Sequence, residues 1–367
     1  MPLTNTLAVA SARGFGFGTE DAFGEQVFTA PGTYTFFVPA GVTSISTVAI
    51  GGGGGGGRPA QYTDTSNPNT IAAYSPVPGS LTANFYSGSG GGLAYKNSIS
   101  VTPGQALTVE VGAGGNTSFS GPGSSGGDSY IQNASAVKLV HAGGGSTAAS
   151  NAGGAVIVGD GGGAGGAGGN WSYAGGLGIP QENVWRSGSG GGAGGYSGAG
   201  GAGVGSGVGS SGSGGGAGSG GGGTFGVYTT SGGTVENYTG FGAAAGGGTG
   251  LYGAGSSGAG GAGVTTPLSS TSYATGGGGG SSGTDGAFSF GTSGGPNSGT
   301  EGRYGGGGAN GGSRIAYTPS GPSYFCTRGQ GGEGQRGAVR IVWTTNPTVT
   351  RAFPSTNVGQ LLSLIHI

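Results

Sequence analysis

In Gly161-Gly-Gly-Ala164-Gly-Gly-Ala167-Gly-Gly-Asn170, every third residue from Ala164 onward is something other than glycine. The same spacing returns at Ala193, Tyr196, Ala199 and Ala202, and again at Ser256, Ala259 and Ala262. Three residues per turn is the period of the extended left-handed helix of the polyproline type, which makes no hydrogen bonds within itself. Its N–H and C=O groups must therefore find partners on neighbouring chains or in water. With glycine at two of every three positions, such helices approach closely enough for backbone to bond backbone, and the third column faces outward or lines a seam. The pattern predicts a bundle of polyglycine II helices whose lateral hydrogen bonds offset the large entropy that each glycine loses on ordering. The register slips at Val204, Val208 and Ser210 to Ser213, so the helices are expected to be short, with a flexible Gly/Ser linker as the competing reading for 203–223.

The whole composition bears on this choice, because 104 of 367 residues are glycine. Disordered chains carry high net charge and few aromatics. Here the net charge is −1, and 15 Tyr, 14 Phe and 3 Trp sit among the glycines. Collagen needs a sustained Gly-X-Y register rich in proline, and only 16 prolines are present. The 11 Lys and Arg are spread along the chain, against the clustered cations that a phosphate backbone or an anionic membrane requires. No apolar run is long enough to span a bilayer. One cysteine, Cys326, excludes an internal disulfide framework. The start, MPLTNTLAVASARG, lacks a basic n-region and reads as mature protein.

A small β framework brackets the glycine. Gln26 to Val42 carries Pro31-Gly32 between runs of β-formers and predicts a hairpin. Ser98 to Val111, turning at Pro103-Gly104, predicts a second hairpin. There Ile99, Val101, Leu107, Val109 and Val111 alternate with polar residues, as in a half-buried sheet. Further strands are expected at Asp128 to Ile131 with Val137 to Ala142, and at Ala338 to Trp343, where Val339, Ile341 and Trp343 share a face. No segment has a helical period. The expected fold is mainly β plus polyglycine II, essentially without α-helix: a small framework of hairpins with an inserted sandwich or bundle of polyglycine-type helices and surface loops. Its parts are an N-terminal segment at 1–25 suited to attachment, the β framework at 26–142, the glycine-rich bundle at 143–335, a closing strand at 336–346 and a C-terminal tail at 347–367.

Between the glycine runs lie Gln61 to Tyr86, Asn170 to Arg186, Thr224 to Phe241, Tyr273 to Phe290 and Arg303 to Arg328. Their mixture of Tyr, Trp, Asn, Ser, Thr and Gly is that of an antibody paratope, in which rigid rings supply contact area and small polar groups supply hydrogen bonds. Some of these rings are expected to cap the glycine helices. The candidates for contact with a receptor are Trp171, Tyr173, Trp185, Tyr228, Tyr238 and Tyr304.

Catalytic patterns are missing from the sequence. The G-x-G-x-x-G matches carry no information in so glycine-rich a chain, and no Walker-type G-K-[ST] occurs. Histidine is limited to His141 and His366, and His141, at the end of a predicted strand, reads as a framework residue. The acidic residues stand singly, with no spacing that favours a catalytic pair. No enzyme activity, cofactor or metal is expected.

Phe28-Thr-Ala-Pro-Gly-Thr-Tyr-Thr-Phe-Phe-Val-Pro-Ala-Gly-Val42 runs into a strand and then into Gly51 to Gly57. With Val101-Thr-Pro-Gly-Gln105, Val109-Glu-Val-Gly-Ala-Gly-Gly115 and Arg336-Gly-Ala-Val-Arg-Ile-Val-Trp343, this resembles the glycine-rich domain proteins of phage tail fibres. Arg351-Ala-Phe-Pro-Ser-Thr-Asn357 is similar to the close of marine-phage structural proteins. The interior is similar in kind to T-even-type tail-tip adhesins, in which stacked polyglycine helices present variable loops to a bacterial outer-membrane receptor. Leu362-Ser-Leu-Ile-His-Ile367 matches a translation of a sequencing-library transposase end, so it is expected to derive from adapter, with the natural C-terminus lost.

The resemblance implies a virion protein of the tail, extracellular at the host surface. Its implied partners are a bacterial outer-surface receptor, protein or glycan, and other tail-fibre proteins, with neither nucleic acid nor membrane insertion. Two alternatives stand beside it: a structural virion or cell-surface protein without receptor specificity, and an ice-binding protein, which would need a flat face of regularly spaced Thr or Ala.

Overall fold

The computed structural model describes residues 23–57, 81–118, 122–147, 152–169, 171–175, 182–186, 190–203, 229–231, 246–251, 304–308, 313–318, 323–328, 332–346 and 349–355. Among these residues there are strands and no helix. The first strands are β1 (Phe23–Phe28), β2 (Gly32–Phe37), β3 (Ser44–Ile50) and β4 (Leu81–Phe85). Next come β5 (Leu93–Ser100), β6 (Ala106–Val111), β7 (Ser129–Gln132), β8 (Lys138–Ala142), β9 (Val156–Val158) and β10 (Gly161–Gly163). The rest are β11 (Trp171–Gly175), β12 (Glu182–Arg186), β13 (Thr229–Ser231), β14 (Ser313–Thr318), β15 (Ser323–Arg328) and β16 (Ala338–Thr344).

Two five-stranded antiparallel sheets form a sandwich, one in the order β1-β16-β3-β5-β10 and the other β2-β6-β7-β8-β9. Alternation along the strands fills the space between them. Ile99, Val101, Leu107, Val109 and Val111 meet Phe36, Ile45, Ile131, Val140, Val339 and Ile341 there, with Trp343 packed against the cluster. The predicted face of Val339, Ile341 and Trp343 is thus the core face, and β7 and β8 pair as expected.

The two Pro-Gly segments are not hairpins. β1 pairs with β16 while β2 pairs with β6, so Pro31-Gly32 carries the chain from one sheet to the other. Likewise β5 pairs with β3 and β6 with β2, and Pro103-Gly104 is a second inter-sheet corner. Gly104 has φ +81° and open space around its Cα, as a tight reversal requires. Turn chemistry fixed the reversal in each case, but the strand partners lie elsewhere in the chain, as far off as β16 for β1.

Glycine takes over where the strands end. Residues 51–57 continue β3, 86–92 lead into β5, 112–116 continue β6, 122–127 precede β7, 143–147 follow β8 and 332–337 precede β16. Face-to-face sheets normally stand about 10 Å apart because side chains fill the gap. Without side chains the two layers close until backbone bonds backbone between them. Gly52 donates to Gly127 and Gly145 donates to Gly52, at 2.9 and 2.8 Å.

Successive N–H groups of 51–57 rotate through three neighbours. Gly51, Gly54 and Gly57 donate to Gly92, Ser89 and Tyr86; Gly52 and Gly55 donate to Gly127 and Ser124; Gly53 and Gly56 donate to Gln335 and Gly332. Three further segments donate in return, through Gly115 to Gly53, Gly145 to Gly52 and Gly308 to Gly54. Segment 51–57 therefore has six backbone neighbours, and Gly51 to Gly55 have no room for a Cβ. These bonds cross the 142/143 boundary expected between framework and bundle, because glycine segments from both sides of it interleave.

The outer face of the first sheet is also covered. Val48, Ile50, Leu93 and Val342 pack under Tyr196, Leu251, Tyr304 and Phe353. The Phe353 ring stacks on Tyr196 at 5.9 Å, and its backbone is held both ways by the Asn97 amide at 2.8 Å. The column Ala193, Tyr196, Ala199, Ala202 is split by a bend at 196–198, so Ala193 and Tyr196 are buried while Ala199 and Ala202 are exposed. The column at 256, 259 and 262 and the slipped register from Val204 lie outside the described residues.

Candidate functional site

The glycine segments run between two poles. At one they meet the sandwich; at the other Gly57 donates to Tyr86, Gly56 to Gly332, Gly88 to Gly308, Gly191 to Gly88 and Gly203 to Ala167. Ser87 Oγ donates to the Gly169 carbonyl at the same level. These are the residues at which the chain leaves the glycine body for its aromatic-bearing segments.

Those segments pair with one another. β4 and β11 form a ribbon in which Trp171 is the Cα partner of Phe85 and Tyr173 that of Ala83. β13, β12, β14 and β15 form a four-stranded antiparallel sheet in that order. Trp185 partners Arg314, Ile315 partners Cys326 and Tyr317 partners Tyr324. Four of the five segments singled out from sequence, which are 61–86, 170–186, 224–241 and 303–328, thus contribute strands at this pole. Tyr273 to Phe290 lies outside the described residues.

Of the six candidate residues, Trp171 and Tyr173 lie in β11 and Trp185 in β12. Tyr228 and Tyr238 lie outside the described residues, on either side of β13. Tyr304 is not at a loop tip. It is 2 % exposed in the cluster over the first sheet, and its backbone pairs with Thr249. The ring is needed there because a glycine body offers the sheet little else apolar to lie against. Arg314, Tyr317, Tyr324 and Phe325 were named only as part of a segment. Their hairpin was signalled in the sequence by Pro319-Ser-Gly-Pro322 between two β-rich runs.

A polar cluster sits at the opposite, sandwich side. His141 Nε2 lies 2.7 Å from Asp128 Oδ2, Gly144 N–H donates to Asp128 Oδ1 at 2.9 Å, and Lys138 Nζ stands 4.1 Å over the Tyr130 ring. Burial pushes the Asp128 carboxyl up, but the Gly144 N–H, His141 and Lys138 together outweigh it and hold the group below its ordinary value. A depressed carboxylate stabilises the fold above its unfolded pKa, and that contribution is lost as pH falls through the folded one. Asp128→Asn is therefore expected to cost about 1 kcal/mol at neutral pH, discounted for the half-exposed carboxylate, and progressively less below about pH 4. Urea melts of both proteins at neutral and acid pH check this; a gap that does not change with pH contradicts it.

Among the described residues no group of three His, Cys, Asp or Glu is placed to hold a metal, and no helix is long and apolar enough to cross a membrane. No protein-family model and no curated protein matches the chain.

Proposed function

We propose that this chain is a tail-fibre or tail-tip adhesin of a phage, a non-enzymatic virion protein in which a stiff body of polyglycine II helices holds aromatic segments against a receptor on a bacterial surface. The observation that carries the reading is polarity. Segments distant in sequence gather their strands β4 and β11 to β15 at one pole of the glycine body. Phe23 pairs with Thr344, at the end of β16 away from the glycine segments, so the N-terminal segment joins at the other pole, where attachment to a fibre would not obstruct recognition.

The helix assignment is supported by the rotation of N–H groups along 51–57, in which each neighbour recurs at every third residue, as three residues per turn require. A body whose inner segment 51–57 bonds to six backbone neighbours is rigid, so binding at its tip loses little conformational entropy. The aromatic and small polar composition of 170–186, 224–241 and 303–328 supplies paratope-like contact chemistry.

Replacing 224–241 by a Gly/Ser stretch of equal length tests the reading. The labelled protein is expected to lose retention on bacterial cells of a strain panel while its melting profile is kept. Unchanged retention would favour a structural protein without receptor specificity.

One observation favours a second reading, ice binding. Gly165 donates to Gly154 and Gly200 to Ala164, so 152–155, 163–169 and 198–203 are neighbours. They expose Ala152 and Ala155, then Ala164, then Ala199 and Ala202, with each pair three residues apart. A thermal-hysteresis measurement decides it, since only the ice-binding reading gives a freezing gap.

A further inference from the structure

The two sheets of the sandwich have four edge strands, β1 and β10 in one and β2 and β9 in the other. An edge strand offers its unpaired N–H and C=O groups to any strand that reaches it, so native sheets shorten such strands, charge them or cover them. Among the described residues three of the four are protected in these ways. β9 and β10 have three residues each. β1 carries Glu25, and its Gly24 carbonyl accepts a hydrogen bond from Arg351 at 2.9 Å. β2 has none of these devices. Gly32-Thr-Tyr-Thr-Phe-Phe37 is six residues long, holds no charge and no proline, and pairs with β6 without a bulge.

The direction of its backbone groups follows from the bonds just past its end. Val38 N–H donates to the Gln105 carbonyl and the Val38 carbonyl accepts from Gly104, both at 2.9 Å, so Val38 faces the chain of β6. Backbone groups alternate sides along an antiparallel strand. Phe36, Tyr34 and Gly32 therefore turn theirs to β6 as well, and Thr33, Thr35 and Phe37 turn theirs to the open edge. The same three residues have exposed side chains, Phe37 at 66 %.

We infer that β2 pairs antiparallel with β2 of a second copy of this chain, across a two-fold axis at Thr35. The outward groups are spaced evenly about Thr35, so the edge is complementary to itself, as a two-fold contact requires. Thr35 meets the partner's Thr35, and Thr33 meets the partner's Phe37. Each row exchanges a pair of hydrogen bonds, and no like charges stand opposite. The glycine bodies do not collide. Gly32 pairs with Val111, beyond which the glycine segment 112–116 begins, so antiparallel pairing sends the two bodies in opposite directions. The inference stands apart from the adhesin reading, under which both recognition poles stay free.

Sedimentation velocity of the full chain over a range of concentrations tests this, together with amide exchange at Thr33, Thr35 and Phe37. A reversible dimer is expected, with those three amides protected in it and exchanging freely on dilution. Thr35→Pro removes an N–H that the monomer's own ladder does not use. The dilute monomer should therefore melt as wild type does, while the dimer's dissociation constant rises at least about tenfold for the two hydrogen bonds lost. Thr35→Lys and Thr35→Glu each set like charges face to face and should be monomeric alone, whereas an equal mixture of the two should dimerise again. A chain monomeric at every concentration, a dimer indifferent to Thr35→Pro, or charged variants that fail to recover on mixing overturns the inference. So does slow exchange of the three amides in a monomer, which would show another part of the chain covering β2, and so does growth beyond the dimer. None of these measurements involves bacterial cells, so loss of the dimer leaves the adhesin reading as it was.

Discussion

Gly53→Ala is expected to leave the chain largely unfolded or insoluble, at a cost of about 3 kcal/mol or more for a single methyl. A Cβ on Gly53 would stand 2.1 Å from the Gly306 carbonyl oxygen and 2.8 Å from that of Gly305. Relief needs segment 304–308 to move, yet Gly305 donates to Arg336, Gly307 to Gly191 and Gly308 to Gly54. Each of those acceptors belongs to another packed segment, so the strain cannot be confined. Exposed Ala164, in the same kind of segment, gives the contrast. Ala164→Ser is expected to change stability by no more than about 0.5 kcal/mol. Thermal melts of the two variants beside wild type decide the matter, and a Gly53→Ala protein that melts like wild type would show that the segments are not packed backbone to backbone.

Glu25→Gln should be nearly as damaging for an electrostatic reason. Arg340 is fully buried on the outer face of the first sheet, where its Nε and Nη2 donate to Glu25 and its Nη1 donates to the Leu251 carbonyl. Arg351 is buried close by and donates to the Gly24 carbonyl. Burial, then the charge of Arg340, push the Arg351 guanidinium down to about 10, and only Glu25 opposes them. Removing that carboxylate strands two buried cations together. The expected cost is about 3–5 kcal/mol, the usual penalty for taking one partner from a buried pair. Replacing both members, Arg340→Met with Glu25→Leu, is expected to recover much of it, because the buried pair is removed as a unit and Arg351 no longer faces a second cation. Denaturant melts of the single and double variants check this, and a double variant as unstable as Glu25→Gln would place the loss in packing instead of charge.

These effects mark how far local sequence reached. The alternation in Ser98 to Val111 and in Ala338 to Trp343 was legible because a two-residue period with one apolar face is a local property, and those residues are the sandwich core. The strand pairings were not. Pro31-Gly32 and Pro103-Gly104 specify a chain reversal, but whether the flanking strands bond each other or separate partners depends on segments such as β16, which joins β1 from the far end of the chain. At the pole, the composition of the aromatic segments was evident, whereas the rows that set Trp185 beside Arg314 and Ser313 between Arg186 and Arg328 exist only once β12, β14 and β15 are side by side. Tyr304 shows the limit most plainly. A tyrosine next to a glycine run reads alike whether it caps a sheet or stands at a tip.

By itself, then, the sequence settled that the chain is β-rich and nearly uncharged, and that glycine, at 104 of 367 residues, is its dominant material. Tertiary structure alone decided that β3, β5 to β8 and β16 pass into glycine segments that interleave, and that four of the aromatic segments bring strands to one pole. The division has a simple cause. Periodicity and turn preference act over a few residues, whereas a glycine segment carries no side chain to identify its neighbours, so its partners are set by the strands to which it is tied.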